Sequence, residues 1–152
     1  MDYYLSPFGE NGVVIELGNK IDEKTHRKVQ EVCSMLDQND EKWFIEHIPA
    51  YTNVTLFYDV FKVSRMNSER SPYQTVCKLI DNILKSNSPV NINKQKTIEI
   101  PICYGGEFGP DIEYVAQYNR LTIEEVIKIH SSGDYLVYFI GFAPGFPYIG
   151  VG

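Results

Sequence analysis

Cysteine is scarce, with three residues in a chain of 152. Cys33, Cys77 and Cys103 are an odd number at wide spacing, which makes no disulfide framework. Three buried thiols in a reducing cytoplasm are expected instead. No Cys-x-x-Cys occurs, and His26, His47 and His130 lie too far apart for a local metal motif, so no metal is expected. Basic residues are also few, 14 against 20 acidic ones, giving a net charge of -6. They are scattered, whereas nucleic-acid binding needs clustered Lys and Arg to neutralise phosphates. Long apolar runs are missing too. None approaches the roughly 18 residues a membrane helix needs. The opening MDYYLSPFGENG has neither a basic nor an apolar signal region, so no secretory leader is expected.

What is present is the composition of a folded globular protein, 43% hydrophobic and 22% charged. The length suits one domain or two small ones. Tyr3 to Phe8 reads as a strand, Glu10-Asn11-Gly12 as a turn, and Val13 to Leu17 as a second strand. Asp22 is placed to cap a helix over Glu23 to Leu36, with Val29, Val32, Cys33 and Leu36 at helical spacing. Trp43 to Ile48 and Asn53 to Tyr58 read as a hairpin. Ser71 and Pro72 start a second helix, in which Tyr73, Val76, Cys77, Ile80, Ile83 and Leu84 trace one face up to Lys85. The order β-β-α-β-β-α predicts an α+β sandwich, ferredoxin-like if the first strand is set aside and another follows the second helix.

Ser86 to Lys96 is polar, with one Pro and three Asn, and reads as a linker. The expected division is a domain over 1–86, a linker over 87–96 and a second unit over 97–152. In that unit Thr97 to Cys103 reads as a strand and Tyr104 to Asp111 as a glycine-rich loop. A short helix should end at Asn119. Thr122 and Glu125 form a capping box for another helix, ending near His130. Tyr135 to Ile140 is an apolar strand, and Gly141 to Gly150 an aromatic loop. About 56 residues with two strands make a thin core, so the chain is expected to stop inside a domain.

Two loops offer chemistry. In the first, Gly105, Gly106 and Gly109 allow close backbone approach and bring Glu107 and Asp111 together. A carboxylate pair can divide acid and base roles; equally, Asp111 can simply cap the next helix. No Gly-Lys-Ser/Thr follows, so this is no Walker A loop. In the second, Phe142, Phe146 and Tyr148 alternate with Pro144, Pro147 and glycines. This excludes a helix, and the prolines exclude a central strand. Such a loop can wall a pocket, bind a protein or pack into further structure. His130, at a helix end, is a polar wall, a cap or a half-buried filler. His26 is expected to face solvent, and His47 to sit on a strand. Cys103 has no base placed beside it by sequence.

These residues also carry a resemblance. The segments CYGGEFGPD, HSS-x-x-YLVYFIGF and PGFPYIG, with FGENGVVIELGNKID and IPAYTNVTLFYD upstream, resemble the KipI family. That family also goes by the B subunit of 5-oxoprolinase, or allophanate hydrolase subunit 1. The resemblance implies a small α+β N-terminal domain and a C-terminal cyclophilin-like β-barrel, here incomplete. It implies one component of an ATP-dependent 5-oxoprolinase, working with the A and C subunits (the latter KipA-like). In that complex ATP activates the lactam. The other branch of the family inhibits a sporulation histidine kinase. An allophanate hydrolase-like activity is a weaker alternative. A plain structural module is the third reading. Within the enzyme reading the candidates are Glu107, Asp111 and His130 for the chemistry, Tyr104, Gly106 and Tyr138 for substrate, and Phe142, Pro144, Phe146, Pro147 and Tyr148 for a partner.

Overall fold

The computed structural model describes residues 1–86 and 96–151, with the backbone alone for Val151. The described residues divide into two compact units: residues 1–86 with 137–149, and residues 96–136 with 150–151. Residues 87–95 of the expected linker lie outside the described residues.

The first unit is built on strands β1 (Tyr4–Phe8), β2 (Gly12–Glu16), β3 (Phe44–Pro49) and β4 (Asn53–Tyr58). They form one antiparallel sheet in the order β1-β2-β4-β3. Alternation decides which face is apolar. Val54, Leu56 and Tyr58 are buried while Asn53, Thr55 and Phe57 are half-buried. The register sets Val13 opposite Leu56 and Ile15 opposite Val54, so all four project to the same face. The β1–β2 turn needs Gly12: a Cβ there would stand 2.6 Å from the Phe8 carbonyl oxygen.

Helix α1 (Glu23–Asp37) starts where Asp22 accepts the Thr25 N–H at 2.7 Å. Helix α3 (Pro72–Lys85) starts on a complete capping box between Ser71 and Gln74, with Pro72 in its first turn. Their apolar faces join the sheet in one core. Val29, Val32, Leu36, Val76 and Ile80 are buried beside Val13, Ile15, Trp43, Val54 and Leu56, with Cys33, Cys77 and Ile83 packed at its edge. At the rim the Tyr3 hydroxyl donates to Asp81 Oδ1 at 2.5 Å. Burial, then the Asp81 carboxylate, push the phenol up to about 12.

Several expectations are corrected in this unit. A short helix α2 (Val60–Met66) follows β4, capped by Asp59, whose carboxylate accepts the Lys62 N–H at 3.0 Å. Only Val63 of it is buried, so it left no periodicity to read. His26 is not solvent-facing; it is 2% exposed. The thiols are not all buried: Cys33 and Cys77 are half-buried and Cys103 is exposed. Burial pushes the Cys33 thiol up to about 12, with Asp37 adding to it.

In the second unit, residues 97–103 form no strand among the described residues. Ile98, Ile100 and Ile102 are exposed. An apolar run becomes a strand only when another strand satisfies its backbone groups, and none does so here. A single 3-10 turn, Gly106–Phe108, leads to α4 (Ile112–Asn119) and α5 (Ile123–Ser131). Arg120 closes α4 at φ 57, a left-handed position usually taken by glycine, and the Leu121 N–H returns to the Ala116 carbonyl at 2.9 Å. The Thr122–Glu125 capping box of α5 is complete.

Strand β5 (Tyr135–Ile140) pairs with β6 (Pro147–Val151). The latter falls where a loop was expected. Pro147 is its first residue, a position where a missing N–H is tolerated in a strand. The fold is therefore mixed α+β, and among the described residues no barrel closes.

Candidate functional site

The glycine loop before α4 owes its shape to backbone angles that few side chains tolerate. Gly105 has φ 74 and Gly106 φ 56. The Gly109 N–H donates to the Gly105 carbonyl at 3.1 Å, and a Cβ on Gly109 would stand 2.9 Å from the Gly105 nitrogen. This tight closure is possible only without a side chain.

The loop walls a cavity of about 250 Å³. Its polar lining is Cys103, Tyr104, Asp111 and His130, and Phe108, Ile112, Val115 and Val126 supply the apolar part. The Tyr104 hydroxyl lies 2.6 Å from His130 Nδ1. The Tyr135 hydroxyl donates to the His130 carbonyl oxygen at 2.9 Å. Asp111 stands at the N-cap of α4, but its side chain makes no capping bond. The carboxylate is therefore not engaged in the structural role considered for it. The arrangement offers hydrogen-bond donors and acceptors beside an apolar wall, suited to a small polar molecule.

The structure thus gathers Tyr104, Asp111 and His130 on one cavity. Glu107 lies on the exposed 3-10 turn and is not part of the lining. Gly106 is exposed, with open space where a Cβ would be. Tyr138 belongs to the first unit. It is 6% exposed and packs its ring on His26 and Tyr51, each at a centroid distance of 5.1 Å. Cys103 stands on the cavity wall, although nothing in the sequence sets a base beside it. The role of Tyr135 left no sequence signal beyond its place at the start of a strand.

The aromatic loop of the first unit is a chain of ring contacts. Phe139 stacks on Tyr148 at 4.3 Å, and Tyr51 meets Phe139 edge-on at 5.1 Å. Phe146 meets Tyr148 at 5.4 Å and Phe142 at 5.8 Å. Tyr148 is half-buried, whereas Phe142, Pro144, Phe146 and Pro147 are exposed. Phe142 is 92% exposed and holds φ 67.

Residues 3–151 match the family described as carboxyltransferase domain, subdomain C and D. The chain belongs to that family. A member named as the B subunit of 5-oxoprolinase, from Bacillus subtilis (strain 168), is 39% identical over 150 residues, 97% of this chain and 62% of that protein. Its namesake from Escherichia coli O157:H7 is 31% identical over 144 residues, 93% of this chain and 60% of that protein. The chain spans about three fifths of the length of the curated relatives it matches. The crystal structure of TTHA0988 in space group P212121 superposes with a TM-score of 0.68 at 27% identity, covering 91% of this chain and 25% of that one. Among the described residues no group of three or more His, Cys, Asp or Glu side chains is placed to hold a metal. No described helix is long and apolar enough to cross a membrane.

Proposed function

We propose that this chain acts in the cytoplasm as the B subunit of an ATP-dependent 5-oxoprolinase, with the A and C subunits, opening 5-oxo-L-proline to L-glutamate. The observation that carries this reading is the 39% identity, over 97% of the chain, to a protein named as the B subunit of 5-oxoprolinase. A lactam resists water because resonance stabilises the amide. Phosphorylation of its oxygen by ATP releases ADP and activates the ring carbon. One water adds there as the ring C–N bond breaks and the nitrogen takes a proton, and a second water releases the phosphate to leave the glutamate carboxylate. The ATP belongs to the complex in this reading, since the glycine loop here carries no lysine for phosphate.

Within the reading, Asp111 positions substrate or phosphate, and His130 is a polar wall. Tyr104 lines the substrate side of the cavity. The exposed residues Phe142, Pro144, Phe146 and Pro147, with the half-buried Tyr148, meet the KipA-like C subunit. We also infer the finer fold. Strands β2, β3 and β4 with α1 and α3 correspond to a ferredoxin-like βαββα, with β1 standing where the last strand would pair. Residues 97–152 correspond to the start of a cyclophilin-like barrel. A second reading, inhibition of a histidine kinase by contact with its helices, is favoured only by the exposure of Phe142 and Phe146.

Co-expression with the A and C subunits tests the proposal. The expected result is ATP-dependent glutamate release from 5-oxoproline above that of those two alone. Release equal to that background would overturn it.

A further inference from the structure

His130 is the penultimate residue of α5 and is exposed. An exposed imidazole is ordinarily free to change rotamer and to exchange its proton between the two nitrogens. Here both freedoms are restricted by a pair of tyrosines. Tyr104 approaches edge-on, with centroids 5.7 Å apart and planes at 85°, and sets its hydroxyl on Nδ1. Tyr135 lies at 5.8 Å with its plane tilted by 42°. The Tyr135 hydroxyl donates to the His130 carbonyl oxygen, one of the last four carbonyls of α5, which a helix leaves without an internal partner.

This folding-back of Tyr135 depends on Gly133. A Cβ at that position would stand 2.9 Å from both Cζ and Oη of the Tyr135 phenol. Any larger residue displaces the ring. The spacing His130-Ser-Ser-Gly133-Asp-Tyr135 is therefore one device: a helix end, a residue without a side chain, and a phenol that returns to the helix end.

The chemistry of the Tyr104 contact decides the tautomer. A phenol is a far stronger acid than a neutral imidazole N–H, and an imidazole nitrogen is a strong acceptor. The hydroxyl therefore donates to Nδ1, and the ring proton rests on Nε2. With Nδ1 occupied, Nε2–H is the group left to meet a ligand in the cavity. It would meet an oxygen acceptor, such as the carbonyl or carboxylate of a small oxo acid.

We propose that Tyr135, with the space left by Gly133, is a positioning residue that holds His130 on Tyr104 as the Nε2–H tautomer. The inference rests on the 5-oxoprolinase reading only for the identity of the ligand; the geometry is internal to this chain.

The test uses the whole chain with ¹⁵N- and ¹³C-labelled histidine, above the ordinary imidazole pKa of about 6.5. Long-range ¹H–¹⁵N spectra report the tautomer, and Cε1–H relaxation reports ring order. The unmodified chain should show a single Nε2–H tautomer of His130 and a ring nearly as ordered as its backbone. Tyr135→Phe keeps the ring but loses the carbonyl contact, and Gly133→Ala displaces the ring. Both should loosen the imidazole and mix its tautomers, while backbone amide signals away from α5 stay in place. Variants that leave tautomer and ring order unchanged would overturn the proposal. So would an Nδ1–H tautomer in the unmodified chain. In the assembled complex, Tyr135→Phe should lower glutamate release about two- to tenfold, the worth of one neutral hydrogen bond. Altered spectra with unaltered release would support the positioning role and remove His130 from the proposed oxoprolinase site.

Discussion

The imidazole of His26 meets the ring of Tyr138 edge to face, with centroids 5.1 Å apart and planes at 72°. The histidine comes from α1 and the tyrosine from β5, so this contact ties the segment 137–149 to the first unit. Neither ring nitrogen of His26 finds a hydrogen-bond partner among the described residues. A buried imidazole without partners is best left uncharged. Burial holds its pKa below the usual value of 6.5, against a smaller upward pull from Glu23.

Between pH 7.5 and 4.5, stability should therefore depend on pH through this group. The native state binds fewer protons than the unfolded state, so its stability is complete above about pH 6.5. It falls as the pH drops below that value, and the loss ends once the pH passes under the depressed native pKa. The capping carboxylates Asp22 and Asp59, both held low by the N–H groups they accept, lose their contribution only below their usual value of 3.8. Urea midpoints between pH 7.5 and 4.5 should decline for the unmodified chain and stay flatter for His26→Leu. Parallel declines in the two proteins would show that His26 is not responsible.

Ile80 is fully buried on the inner face of α3. Cutting it to alanine removes three carbons from a packed site and leaves a cavity, costing about 2–5 kcal/mol. Lys78, on the exposed side of the same helix, should tolerate alanine within about 0.5 kcal/mol. Denaturant unfolding compares the two. Equal small effects would mean that the helix does not pack on the sheet as described.

Phe142 combines near-complete exposure with a positive φ of 67. A bulky side chain is disfavoured there by about 1–2 kcal/mol, and glycine is not. Phe142→Gly should raise the denaturation midpoint slightly and reduce binding of a hydrophobic dye. A lower midpoint would show that the ring contributes more through Phe146 than its backbone conformation costs. Unchanged dye binding would locate the accessible apolar surface elsewhere.

The glycine loop was legible as a place for chemistry because glycines close together mark backbone that a side chain would block. Its lining was only half legible. Asp111 and Tyr104 belong to the loop itself, whereas the Tyr104–His130 contact joins residues 26 apart in the chain. Glu107 looks like Asp111's partner on paper, yet the 3-10 turn leaves it out of the cavity lining.

Where a local partner came with a periodic apolar face or a capping pattern, the residues declared themselves in the sequence. The caps at Asp22, Ser71 and Thr122 are set by groups three residues away, and the apolar faces of α1 and α3 by a repeat that any helix must show. Strand β4 ran from Asn53 to Tyr58 as its alternation required. Tertiary structure alone decided the rest. Thr97 to Cys103 has strand-forming residues but no strand beside it, and backbone groups without partners do not make a sheet. Pro147 begins a strand because β5 lies alongside. His26 became a core residue because Tyr138, 112 positions away in the chain, packs on its ring. Local hydrogen bonding and periodicity are written in consecutive residues. Burial depends on which distant surface arrives, and only the folded chain specifies that.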